Sequence, residues 1–94
     1  MKISVIKKEV GRLPERIIAE NDIDAFQDLI DGYVEEHRVA DGLYVLCDEN
    51  GNIFGRPYNV TINGIDYVGT VLLVGFDGED FTDAPEVDDA IWKN

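Results

Sequence analysis

The run GTVLLVGF, Gly69 to Phe76, is the most continuously apolar stretch of the chain, and it restricts the fold more than any other feature. It is too short for an ordinary helix, and it lacks the polar alternation of a half-exposed strand. It reads as a central strand, covered on both faces or nearly so. The next segment is its opposite: DGEDFTDAPEVDD, Asp77 to Asp89, holds seven carboxylates and no base. Gly75 and Gly78 loosen the chain there, and the acids read as a turn and then the start of a short C-terminal helix. Carboxylates at that position are solvated and favoured by the helix dipole. Thr82 or Asp83 would cap the helix, with Pro85 near its first turn and Lys93 at its end.

The elements before this strand are legible from spacing and turn residues. KISVIKK alternates around Ile3 and Val5 and predicts a first strand, and Gly11 to Glu15 turns the chain into ERIIAE, a return strand. Asn21 to Gly32 is the clearest helix. Asn21 or Asp22 caps it; Ile23, Phe26, Leu29 and Ile30 share one face; Gly32 supplies a left-handed ending. At about three turns it must pack on a sheet to persist. YVEEHRV and LYVLCD flank Asp41-Gly42, a strong hairpin signal, and Asn50-Gly51 predicts a second hairpin from Leu46-Cys47 to Ile53-Phe54. GRPYNVTINGIDYVG reads as a loop-rich crossing with room for a short strand. The expected architecture is a single α+β domain over residues 1–94. Its mixed or mainly antiparallel sheet has four to six strands, with the Asp22–Asp31 helix packed on one face and a short C-terminal helix.

Charge narrows the functions. Twenty Asp and Glu against eight Lys and Arg give a formal net charge of -12. Such a chain repels nucleic acid and anionic membranes, since both are held by Lys and Arg on phosphates. Five of the bases (Lys2, Lys7, Lys8, Arg12, Arg16) lie near the N-terminus, and none occurs between Arg56 and Lys93. The excess acid serves solubility, or it forms a surface that meets a basic partner. No apolar run approaches the ~18–20 residues of a membrane span, and MKISVIKKEVGR is too short and charged for a signal peptide. One cysteine, Cys47, excludes an internal disulfide and suits a reducing compartment. The expectation is a cytoplasmic protein.

Catalytic chemistry is thin. Ser4 and His37 are the single serine and histidine. A Cys47–His37 nucleophile pair is conceivable across the first hairpin, yet a cysteine inside an apolar strand usually acts as a small hydrophobe. No phosphate loop, zinc spacing or dinucleotide fingerprint occurs. Asp77, Glu79, Asp80 and Asp83 could bind a cation through oxygen, as could Asp48-Asn50-Asn52, but neither fits the calcium-loop template. The reading is no enzyme, no cofactor and no metal. Binding residues, if any, are sought in the loop Arg56, Tyr58 and Asn59 and in the turn Asp77, Glu79 and Asp80, taken to face it.

The blocks FQDLIDGYVE, CDENGNIFGRPYN and GTVLLVGFDGEDFTD together resemble the DUF3846 family, small acidic proteins of phages, plasmids and other bacterial mobile elements. Matching positions include Leu29, Gly32, Tyr33, Cys47, Gly51, Gly55, Pro57, Asn59, Gly69, Thr70, Gly75, Asp77, Gly78, Asp80 and Phe81. The resemblance covers about residues 1 to 84. It implies no activity; it implies a bacterial or phage cytoplasm, where small proteins often bind a host factor. Three functional classes suit these features. The leading one is a non-enzymatic accessory protein that binds a protein partner, basic in character, through its acidic surface. A second is a nucleic-acid mimic occupying a basic DNA-binding groove. The third is a small-ligand binder using the Arg56–Asn59 loop. Exposed edge strands would also allow a homodimer.

Overall fold

The computed structural model describes residues 1–92. Strands β1 (Lys2–Lys8) and β2 (Glu15–Glu20) form the expected antiparallel hairpin, with Ile3 opposite Ala19. Helix α1 (Ile23–Ile30) begins where Asp22 Oδ1 accepts from the Ala25 N–H at 2.8 Å, which satisfies one free donor of the first turn. Strands β3 (Val34–Ala40) and β4 (Leu43–Asp48) are joined across the Asp41-Gly42 turn. Then come β5 (Tyr58–Ile62), β6 (Ile65–Val68), β7 (Val71–Phe76), the short β8 (Phe81–Thr82) and a 3-10 turn, Asp89–Trp92.

The main sheet runs β2-β1-β7-β4-β3, and every pairing in it is antiparallel. The apolar β7 is central, as its composition requires, and its side chains alternate between two cores. Leu72 and Val74 face α1 and meet Phe26, Ile30, Leu46 and Val5. Val71 and Leu73 face the other way, toward Val45, Cys47, Val60, Ile62 and Tyr67. The second face is thus covered by the β5–β6 hairpin, which turns at Asn63 and Gly64, both at positive φ. That pair of left-handed residues matches the right-handed strand twist. The segment read as a loop-rich crossing is therefore a second layer.

Three local expectations change. The Asn50-Gly51 hairpin does not form, and Ile53 and Phe54 lie exposed in a series of turns. Strand β4 already pairs β3 on one edge and β7 on the other, so no edge remains for a third meander strand. Helix α1 ends with Asp31, not Gly32, in the left-handed conformation, at φ 60°. Gly32 is needed for space instead: a β-carbon there would meet the Asp48 carboxyl at 2.5–2.7 Å. The C-terminal helix contracts to the single 3-10 turn. Thr82 belongs to β8, and the Asp83 carboxylate accepts from the Ser4 N–H at 2.8 Å rather than capping a helix. Residues 81–84 enter the gap where β1 and β7 diverge, with Gly75 opposite Thr82 and the Ala84 N–H donating to the Ser4 carbonyl. Lys93, read as that helix's closing charge, lies outside the described residues. Among the described residues, no helix is long and apolar enough to cross a membrane.

Candidate functional site

The two groups of residues singled out in the sequence stand at opposite ends of the sheet. Register decides this: Leu46 is opposite Leu72 and Leu43 opposite Gly75, so Arg56, beside Asp48, is at one end and Asp77 at the other. The Arg56 loop is occupied by its own fold. Arg56 Nε donates to Asp48 Oδ2 at 2.7 Å, and its other nitrogens reach the Asp31 carbonyl and carboxylate. Asn59 donates to the carbonyls of Lys8 and Gly69 and accepts from Lys8 Nζ. Tyr58 is exposed, and its hydroxyl bonds Thr61. In the other group, Asp77 Oδ1 accepts from the backbone N–H groups of Glu79 and Asp80, both at 2.9 Å. The N–H of Asp80, then that of Glu79, holds the Asp77 carboxyl below the usual carboxylate range. Asp77 is a turn acceptor.

Glu79 and Asp80 instead join residues that the sequence did not connect to them. They stand on the rim of an open groove of about 420 Å³, together with Asp22 at the start of α1 and Glu36 on β3. The floor is aromatic. Phe26, Phe76 and Phe81 line it, with Phe81 edge-on to Phe26 at 6.0 Å and 5.8 Å from Phe76. Among the described residues, Glu36, Glu79 and Asp80 have no ion-pair partner, and the Asp22 carboxylate is engaged in capping. Carboxylates beside aromatic side chains are a chemistry suited to a guanidinium or ammonium group: the acids offer charge and hydrogen-bond acceptors, and the partly exposed Phe76 and Phe81 offer apolar surface. Glu36 is the member that sequence reasoning missed. Its signal was present in principle, because its even position on β3 shares the α1 face with Val34.

A second polar cluster lies on the opposite face. Residues 35 and 37 of β3 point toward the β5–β6 hairpin, and Cys47 is paired with Glu35 across the ladder. His37 Nε2 is 3.1 Å from Glu35 Oε2, while His37 Nδ1 is 2.9 Å from the Tyr67 hydroxyl. Cys47 Sγ lies 4.0 Å from the same Glu35 oxygen. Burial first, then the carboxylates of Glu35 and Asp48, pushes the Cys47 thiol up to about 12 from an ordinary 9.0. Burial also raises the Tyr67 phenol to about 12. The Cys47–His37 neighbourhood imagined across the hairpin therefore exists, but the protein alone keeps its sulfur protonated at neutral pH. A thiol so held is a poor nucleophile. Glu35 and Tyr67, not singled out in the sequence, complete the cluster; Tyr67 is brought in by the β5–β6 layer, which no local pattern placed.

No curated protein and no solved structure matches the chain. Its affiliation comes from a family comparison, which covers almost the whole chain and so spans the blocks FQDLIDGYVE, CDENGNIFGRPYN and GTVLLVGFDGEDFTD. Over residues 1–93 the chain fits the family model described as Domain of unknown function (DUF3846), and it belongs to that family.

Proposed function

We propose that the protein is a non-enzymatic binding module, and that its groove receives an arginine- or lysine-rich segment of a protein partner. The observation that carries this reading is the union of four rim carboxylates with a phenylalanine floor. Acids kept for solubility alone need no aromatic neighbours, and a buried aromatic cluster alone needs no acids. The reading also accounts for Glu36, Glu79 and Asp80 having no cationic partner among the described residues. Binding at such a rim gains association rate from long-range attraction and orientation from the rings. The small-ligand alternative centred on Arg56 is weaker, since the polar groups of that loop are spent within the fold. A cytoplasmic setting in a bacterium or phage-like element is part of the proposal, and it rests on the family resemblance.

The test is a titration with a short fluorescent arginine-rich peptide. The expected result is saturable binding that weakens as salt rises. The triple variant Glu36→Gln, Glu79→Gln, Asp80→Asn should lose at least about 10-fold in affinity, or ~1.4 kcal/mol. A control variant removes three carboxylates outside the groove, at Glu49, Glu86 and Asp89. Equal losses in the two variants would show that net charge alone attracts the peptide, and the groove would have no role.

A further inference from the structure

The cluster of Glu35, His37 and Cys47 offers three chemically different donors that converge from adjacent strands. We infer that these residues form a binding site for a borderline-soft divalent cation of the zinc class, with Tyr67 as the residue that orients the histidine. The three donor atoms all lie within 4.8 Å of one another. Tetrahedral zinc, with bonds of about 2.0–2.3 Å, separates its ligands by about 3.3–3.8 Å. The observed 3.1 Å from nitrogen to oxygen and 4.0 Å from sulfur to oxygen bracket that spacing. Glu35 and His37 are partly exposed and only Cys47 is fixed in the core, so rotation of the first two side chains would suffice to close the remaining gaps.

The donor types choose the ion. A thiolate and an imidazole favour zinc or cobalt over calcium and magnesium, which take oxygen. Position supports the assignment as well. The donors line a cleft of about 160 Å³ between the sheet and the hairpin, so a fourth coordination position is open to water or to an incoming ligand. With Nε2 directed at the Glu35 carboxylate, coordination there leaves the ring proton on Nδ1, which donates to the Tyr67 oxygen at 2.9 Å. A hydrogen bond to the far ring nitrogen is the usual support of a metal-bound histidine. On binding, Cys47 releases its thiol proton to solvent and sulfur takes the metal. Unlike the two oxygen clusters considered from sequence, this site draws on β3 and β4 residues that face each other only once the ladder forms.

Cobalt(II) titrated into the purified, metal-free protein tests the assignment. The expected spectrum shows the visible bands of tetrahedral cobalt and a sulfur-to-cobalt charge-transfer band, saturating at one equivalent and displaced by zinc. Cys47→Ser should abolish the charge-transfer band, and His37→Ala should weaken zinc by more than about 100-fold. Tyr67→Phe should cost about 10-fold and keep the sulfur band, as expected of a positioning residue. His37→Ala carries the test if the buried Cys47→Ser variant does not fold, since His37 lies outside the core and circular dichroism can verify its fold. Absence of one-to-one binding in the wild-type protein would overturn the assignment. So would wild-type zinc affinity in a folded His37→Ala. The peptide-binding groove lies on the other face, so either result is separate from that proposal.

Discussion

Asp48 is the buried charged residue among those described, and its side chain is 1% exposed. Its two oxygens are fully engaged: Oδ2 accepts from Arg56 Nε at 2.7 Å, and Oδ1 accepts from the Asn50 N–H at 3.0 Å. The carboxyl occupies the space that a β-carbon on Gly32 would take. Arg56, by contrast, keeps 23% of its side chain exposed and can swing outward. The pair should therefore respond unequally to truncation. Arg56→Ala strands a buried charge and should cost about 3 kcal/mol, the low end of the range for a broken buried pair. Asp48→Ala leaves a cation free to reach water and should cost about 1–2 kcal/mol. Urea unfolding measures both, and the opposite order would mean that Arg56 is not the counter-charge holding Asp48. This site also shows why the internal role of the loop is not legible in sequence. Arg56 reads as a candidate binding residue because its partner is a strand-end aspartate eight positions earlier, and only the turns of residues 49–55 bring the two together.

At the scale of elements, local pattern sufficed wherever one strand and its neighbour decided the outcome. The β1–β2 and β3–β4 hairpins, the α1 start at Asn21 or Asp22, of which Asp22 caps, and the central place of β7 were all legible. Where two candidate pairings competed for one edge, they were not. Asn50-Gly51 is a good hairpin turn, but β7 occupies the edge it would have used. The β5–β6 layer was hidden for a related reason, since its Val60, Ile62 and Tyr67 are apolar only in answer to a sheet face assembled from distant strands. Gly75 marks the same kind of non-local demand. A β-carbon there would overlap the Asp83 carbonyl oxygen and the Thr82 hydroxyl, where residues 81–84 cross between β1 and β7. The φ of Gly75 is not in the left-handed region, so its need is for space alone. Gly75→Ala should therefore destabilise by about 1–3 kcal/mol through overpacking. Hydrogen exchange should show the loss in the Ala84 N–H, which bonds Ser4, before the β4–β7 ladder. Unchanged protection of Ala84 would mean that this segment is not held by the contact.

For the whole molecule, a net charge of -12 on a 94-residue body sets a repulsive energy that its ion pairs do not cancel. Among the described residues the pairs involve the N-terminal amine, Lys7, Arg12, Arg16, His37, Arg38 and Arg56, and Glu36, Glu79 and Asp80 share one rim with none of them. Most of those pairs are exposed and worth little. Screening should therefore relieve more repulsion than attraction. Between about 0.01 M and about 0.3 M sodium chloride the Debye length falls from about 30 Å to below 10 Å, which is less than the span of the body. The melting temperature should rise by about 4–8 °C, equivalent to ~1 kcal/mol for a domain of this size. The same salt should weaken capture of a basic peptide at the groove. Stability and the proposed peptide binding should thus move in opposite directions with ionic strength, because like charges oppose each other in the free protein and a bound cation would relieve them. A melting temperature that fell with salt would show that the ion pairs outweigh the acidic crowding. The groove carboxylates would then not be the electrostatic strain that a basic partner relieves.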